Sequence, residues 1–278
     1  MAIKIKVNKK HALLTEACTN NDLEAVRSII EDGIDLTETW SSKGCYPLMG
    51  AIYNNNIEMV GLLAENGMPL YFNNKSSYEN FDSEDEIKQN VVFFEWDKDY
   101  ADALLAVLDY VEPGNFKEGI SLVLSSMAGL KDEDTSEKSD QFLEKLLTKG
   151  ADVDCKKSTG GTVLHLIAKG RNAKYADKLI RLSKNIDAAS NDGDHATPLY
   201  RAFHKCYPSP IKALLEMGAN PNACCLISKE SVLDRAFYFK KKNKRENRDG
   251  KVDKIIELLR SYGAKTYEEM VQDGDIKE

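Results

Sequence analysis

The 278-residue sequence predicts an all-α solenoid of about seven helix–turn–helix repeats, and three spacings carry that expectation. A leucine recurs inside a short pattern: small or Thr, then Pro or apolar, then Leu, then Ala two to four residues on. Leu14 and Leu48 stand 34 residues apart, Leu164 and Leu199 stand 35 apart, and Leu199 and Leu233 stand 34 apart. A glycine closing an apolar run keeps the same period, with Gly33 and Gly67 34 apart and Gly150 and Gly218 68 apart. In three repeats the leucine precedes its glycine by 19 residues: Leu14 to Gly33, Leu48 to Gly67 and Leu199 to Gly218. A fixed period of this size marks a stacked array, in which each unit buries its apolar face only against its neighbours.

The end signals of each helix agree with that reading. The pattern appears as Tyr46-Pro47-Leu48-Met49-Gly50-Ala51, Thr162-Val163-Leu164-His165 and Thr197-Pro198-Leu199-Tyr200-Arg201-Ala202. Weaker copies are Ala12-Leu13-Leu14 with Ala17, and Ser231-Val232-Leu233-Asp234-Arg235-Ala236. Proline suits the first helical turn, where its missing N–H is not needed, and a preceding Thr can cap. Second helices show apolar residues on one face: Leu23, Val26, Ile29 and Ile30; Ile57, Val60 and Leu63; Ile211, Leu214 and Leu215. The glycines Gly33, Gly67, Gly150, Gly218 and Gly263 fit left-handed C-caps, and Asn185 is expected to take that place where the glycine is missing.

The middle is less regular. Ile120 to Leu130 reads as a first helix with Leu122 as its anchor, and the polar run Lys131 to Ser139 as an inserted loop. A further degenerate repeat is expected with helices near Asp85–Glu95 and Tyr100–Val111. In the last repeat the basic run Lys240 to Gly250 reads as a second inserted loop, and its stretch Lys240–Arg248 as a solvated loop, a contact patch for an acidic partner, or a nuclear-import or nucleic-acid element. The chain is therefore expected as a single solenoid: regular repeats over 11–70, degenerate repeats over 71–155, repeats five to seven over 156–265 with the insertion 240–250, and a cap or tail over 266–278.

Composition narrows the function classes. A chain that is 42% hydrophobic and 30% charged, with regularly spaced apolar residues, reads as a soluble folded protein. No stretch approaches the roughly 20 apolar residues that span a bilayer. Met1 to Lys10 alternates Ile3, Ile5 and Val7 with Lys4, Lys6 and Asn8, and lacks the apolar block of a secretory signal. The expected location is cytoplasmic, in the producing cell or in a host cell if the protein is a secreted effector. The six cysteines (Cys18, Cys45, Cys155, Cys206, Cys224, Cys225) form no CxxC pair and read as reduced thiols, so no metal or other cofactor is expected. A net charge of −7 disfavours nucleic acid and favours a basic protein surface.

These motifs resemble a known family. Thr162-Val163-Leu164-His165 and Thr197-Pro198-Leu199 resemble the Thr-Pro-Leu-His signature of ankyrin repeats. Gly150-Ala151-Asp152-Val153-Asp154 and Gly218-Ala219-Asn220-Pro221-Asn222 are similar to that family's hairpin segment. The resemblance covers about 11–70 and 140–265, and implies a groove of hairpin tips and first helices that binds partner proteins. Carried over by motif, the exposed groove positions are Trp40, Ser42, Lys43, Cys45, Tyr53 and Asn54 in repeat two. In repeat five they are Ser158, Thr159, Gly161 and Lys169, and in repeat six Asp194, Ala196, His204 and Lys205. Trp40 and Tyr53 are the expected anchors, because aromatic residues dominate interface energetics.

Catalysis finds little support in the sequence. His165 reads as the motif histidine, bonding backbone between repeats, rather than as a base. His11, His195 and His204 are scattered over different repeats. Thr159-Gly160-Gly161-Thr162 lacks the lysine and preceding strand of a phosphate loop. The acidic stretch Glu79–Asp102 is interleaved with Val91, Val92, Phe93, Phe94 and Trp96, and reads as a solvated face or as an interaction surface. The expected function is thus a non-catalytic module, monomeric when free, that blocks or recruits a protein such as a basic toxin, enzyme or host factor. Its setting is a bacterial effector or an immunity protein. The alternatives are an enzyme centred on 71–139 and a structural scaffold.

Overall fold

The computed structural model describes residues 9–36, 46–70, 96–112, 117–128, 130–156, 161–168, 173–190, 195–204, 208–225, 227–242 and 250–276. Among them are fourteen α-helices and one two-stranded hairpin, distributed over two units.

The first unit comprises Met1–Met127 and Thr135–Asp152. Its helices are α1 (Lys9–Thr19), α2 (Leu23–Glu31), α3 (Pro47–Tyr53), α4 (Ile57–Glu65), α5 (Ala101–Asp109), α6 (Lys117–Ala128, to Met127 in this unit) and α7 (Glu137–Thr148). Asp22 and Asn56 begin the second helices by accepting Ala25 N and Met59 N at 3.0 and 2.9 Å, and Pro47 stands in the first turn of α3. At the far end of α4, Gly67 (φ 87°) turns the chain so that Met68 N reaches Leu63 O at 2.9 Å. A side chain at such a φ clashes with its own backbone, so the periodic glycine follows from the cap.

Stacking then repeats the pairing. First helix α1 packs on α3, while second helices α2, α4, α5 and α7 form a row in that order. Leu14, Leu48, Val26, Val60, Leu63, Leu104, Val107, Phe142 and Leu146 lie buried along the seam. Cys18 joins this core, and burial pushes its thiol up to about 12. Gly50 on α3 is held so tightly against the end of α1 that an added Cβ would sit 2.8 Å from the Cys18 carbonyl carbon.

The second unit comprises Ala128–Asp134 and Val153–Glu278. Its helices are α8 (Val163–Ile167), α9 (Ala173–Leu182), α10 (Pro198–Arg201), α11 (Pro208–Glu216), α12 (Val232–Lys242), α13 (Lys251–Ser261) and α14 (Tyr267–Gln272). The rows recur: α8, α10 and α12 stack in one, α9, α11 and α13 in the other. The hairpin pairs β1 (Cys224–Cys225) with β2 (Glu230–Ser231), Cys224 opposite Ser231. Anchors Leu164, Leu199 and Leu233 are fully buried, as are Leu14 and Leu48 in the other unit. Seven second helices are thus present among the described residues, including α5 for the expected Tyr100–Val111. The expected helix over Asp85–Glu95 lies outside the described residues, as does the Leu122 side chain.

Several expectations are corrected. Ser136 caps α7 by accepting Ser139 N, so the helix begins inside the run read as an inserted loop. Only Asp132–Asp134 of that run forms a separate turn. Helix α12 likewise extends through Lys242, and Lys240 pairs with Asp253 at 2.5 Å, so the first three lysines of the basic run are helical. Asn185 does not adopt a left-handed conformation. The Asp154 carboxylate instead receives Ser183 Oγ and Lys184 N at 2.6 and 2.7 Å just beyond α9, so a side chain does the work of the cap. Ile57, at the first position of α4, is exposed rather than on the core face. Trp96 is buried, its ring centroid 5.0 Å from that of Phe142, which removes it from any acidic surface. In the C-terminal segment α14 begins at a capping box of Thr266 and Glu269, and Met270 is buried.

Candidate protein-interaction surface

The polar residues at motif positions mostly hold one repeat to the next. In repeat five, Thr162 N donates to His165 Nδ1 at 3.0 Å, and His165 Nε2 lies 2.9 Å from Ala196 O of repeat six. The equivalent residue of repeat six is Tyr200. Its hydroxyl lies 3.4 Å from Glu230 Oε2, and the Arg235 guanidinium sits 4.9 Å from its ring centroid. Burial, first of several influences, pushes the Tyr200 phenol up. In repeat seven the place is taken by Asp234, whose carboxylate accepts Ser231 N at 2.9 Å and Tyr267 N at 2.7 Å. Three different side chains thus make the same kind of link.

A second ladder runs along the hairpin segments of the same unit. Asp187 accepts Asn220 N at 3.1 Å, and burial raises its carboxyl above the ordinary value. Asn222 donates to Gly263 O at 3.2 Å and accepts Lys265 N at 2.7 Å. These groups are committed to structure, which removes them from the stock available for chemistry.

In the first unit Tyr53, at the end of α3, is 59% exposed and packs edge-on against Tyr100 with centroids 5.4 Å apart. Tyr100 belongs to a short 3-10 turn, Lys98–Tyr100, that precedes α5. Two residues after Tyr53, Asn55 adopts a left-handed φ of 50° and accepts Ala103 N at 2.9 Å. Its amide donates to Asp102 Oδ2 at 3.3 Å, which also accepts Lys138 Nζ at 2.6 Å. The bond from Lys138, with that from Asn55, holds the Asp102 carboxyl below its usual range. Asn54, an expected groove residue, directs its amide to Cys18 O and Thr19 O at 2.9 and 3.1 Å. It ties α3 to α1.

Of the expected groove residues, the structure therefore places Tyr53 as an exposed aromatic and Asn54 as a structural tie. Gly161 is half-buried, and Ala196 is buried rather than exposed, with its carbonyl facing His165. His204 ends the turn Ala202–His204, and its side chain lies outside the described residues. Trp40, Ser42, Lys43, Cys45, Ser158, Thr159, Lys169, Asp194 and Lys205 also lie outside them. Sequence reasoning overlooked Phe237 and Tyr238 on α12, 40% and 54% exposed. The signal was present: Tyr238 follows Leu233 by five residues, as Tyr53 follows Leu48.

Among the described residues no three His, Cys, Asp or Glu side chains converge as metal ligands. An open depression of about 560 Å³ beside α7 is lined by Leu105, Glu137, Asp140, Gln141, Glu144, Lys145 and Thr148. It contains no His or Cys, and Lys145 is tied to Asp109 at 2.5 Å and to Leu105 O at 3.0 Å. No described helix is long and apolar enough to cross a membrane.

Comparison with known proteins agrees with this geometry. Residues 14–64 match a family model described as ankyrin repeats in many copies, and residues 135–224 match one described as ankyrin repeats in three copies. The human ASB11 ankyrin repeat domain superposes with a TM-score of 0.52 at 18% identity, covering 80% of this chain and 90% of its own. An ankyrin repeat domain from Acinetobacter baumannii AYE gives 0.46 at 21% identity, covering 91% of this chain and 98% of its own. At 18% identity the likeness to the human domain concerns the fold alone. No curated protein matches the chain in sequence. The two matched stretches span half of the sequence, on repeats whose leucine anchors, caps and inter-repeat bonds are those described above, and the protein belongs to the ankyrin-repeat family.

Proposed function

We propose that this chain is a non-catalytic binding module that occupies the surface of a partner protein and thereby blocks or recruits it. Ankyrin repeats are generally protein–protein interaction modules. The observation that carries the reading is a division of labour. Motif side chains with catalytic potential, His165 foremost, are consumed in bonds between repeats, while first-helix aromatics such as Tyr53 stand exposed. Exposed aromatic rings on a preformed scaffold lose little freedom on binding and supply large contact area.

The hairpin tips and first helices of each unit are the proposed contacts: Trp40, Ser42, Lys43, Cys45 and Tyr53 in the first, and Ser158, Thr159, Lys169, Asp194, His204 and Lys205 in the second. The net charge of −7 supports a partner of predominantly basic surface, drawn in by long-range attraction. A cytoplasmic immunity protein or a bacterial effector fits that picture. The test is capture of partners by the immobilised full chain, followed by titration of each purified candidate. Saturable one-to-one binding weakened at least about tenfold by Tyr53→Ala supports the reading. Turnover of a small-molecule substrate by the pure chain overturns it, as does failure of any captured protein to bind when purified.

A further inference from the structure

We propose that the outward stripe of α12 is a docking patch for an acidic protein segment carrying an apolar anchor. The inference rests on the binding-module reading above and names a site and a ligand chemistry for it.

Helix periodicity defines the stripe. Val232, Leu233 and Ala236 are buried, and Phe239 is half-buried. Residues 237, 238, 241 and 242 fall on the opposite side, since residues four apart share a face. All four are exposed: Phe237, Tyr238, Lys241 and Lys242. Two large aromatic rings displayed side by side in water on a folded helix cost apolar exposure that a partner would relieve. Lys242 Nζ lies 2.9 Å from the Tyr238 hydroxyl and 5.3 Å from its ring centroid, and Tyr238 stays 54% exposed beside it.

Charge selects the partner. The chain carries −7 overall, yet α12 ends in three consecutive lysines. Lys240 is neutralised by Asp253, which leaves Lys241 and Lys242 as the local excess. Screening at physiological salt confines such an effect to about 8 Å. The partner's charge at the point of contact is therefore set by these lysines and not by the net charge of the chain. A basic partner is accommodated if the segment it lays on α12 is acidic. The aromatic pair demands an apolar side chain within that segment, since acidic groups alone leave both rings wet.

The probe is an arrayed library of 12-residue peptides, each with four Asp or Glu and a single Leu, Phe or Trp. Matched sets replace the acids by Asn and Gln, or the anchor by Ala. An anionic lipid vesicle and a mixed-sequence single-stranded oligonucleotide are run beside them. Binding is read by fluorescence anisotropy with the full-length chain at 50 and 200 mM salt. The expected result is saturable binding of a subset of acidic, anchored peptides, weakened at least about tenfold by Tyr238→Ala and abolished by the double variant Lys241→Glu/Lys242→Glu. Circular dichroism confirms that each variant keeps its helix content, and Lys242→Arg, which retains charge, is expected to bind normally. Absence of peptide binding overturns the proposal, as does binding unaffected by these variants or by loss of the anchor. A vesicle or oligonucleotide that binds more tightly and loses binding with the same variants also overturns it. If a purified partner from the capture experiment binds the Lys241→Glu/Lys242→Glu chain undiminished, the patch fails while the module reading stands.

Discussion

His165 Nε2 stands 2.9 Å from Ala196 O while its Nδ1 accepts the Thr162 N–H, and the pair of bonds settles the state of the ring. A backbone N–H can only donate and a carbonyl can only accept, so the proton sits on Nε2 and the ring is neutral. The histidine is a fixed strut between repeats five and six, with no lone pair left for a substrate proton.

Replacing His165 by Phe keeps the bulk and strands the Thr162 N–H in a buried place, while Ala196 O keeps the Ser190 N–H at 3.0 Å. The unsatisfied donor costs about 1–3 kcal/mol. The urea midpoint should fall accordingly, with binding of any partner at Tyr53 unchanged. An unaltered midpoint would show that the strut is dispensable.

Gly50 and Gly61 make a paired test of close packing. A Cβ on Gly50 meets the backbone of Cys18 and Thr19 at 2.8 Å. Overpacking of that kind costs roughly 1–3 kcal/mol, which outweighs the gain of up to about 1 kcal/mol from Ala in a helix. On Gly61 the Cβ meets only the Tyr110 hydroxyl, at 2.9 Å, at the tip of a partly exposed side chain that can swing aside. Gly50→Ala is therefore expected to lower Tm and Gly61→Ala to leave it level or raise it. Equal shifts in one direction would contradict the packing argument.

The C-terminal helix should respond to acid. Arg260 grips both oxygens of Glu269 at 2.7 and 2.9 Å, and Thr266 N donates to the same carboxylate. Those bonds, Arg260 first, bring its carboxyl down to about 2. A lowered carboxyl stabilises the fold above its unfolded value of about 4.3, and the contribution fades as pH falls from there toward 2. The pair is solvent-exposed, which limits it to about 1 kcal/mol or less. Glu269→Gln is expected to lower Tm slightly at pH 7 and to match wild type near pH 2. A difference that persists in acid would count against the linkage.

Trp96 offers an optical test of the corrected acidic stretch. The chain has two tryptophans, so Trp40→Phe leaves Trp96 as the sole emitter. Its burial against Phe142 predicts blue-shifted emission and poor quenching by iodide. Trp96→Ala should cost about 3–5 kcal/mol, as for other buried aromatic truncations. Red, readily quenched emission would return Trp96 to the surface.

Regular features were readable because they depend on neighbours a few residues away. The leucine anchors, Pro47 and Pro198 in first turns, and the capping glycines follow from helix geometry and hard-sphere sterics, which operate within one turn of chain. Asn21 and Asn55, left-handed at φ 58° and 50° and 34 residues apart, obey the same local rule, since Asn tolerates this conformation better than most residues with a side chain.

The repeat period and the identity of the core leucines were determined by the sequence alone, since any stacked hairpin of this length must bury that stripe. The use of each polar side chain was decided by tertiary structure. His165, Tyr200 and Asp234 share one register position but reach a carbonyl, a carboxylate and an amide, each at least 30 residues onward. Asp154 replaces a missing glycine cap from 30 residues away in the same manner. Hydrogen bonds and close contacts between repeats depend on where two distant backbones come to rest, and local spacing does not encode that position.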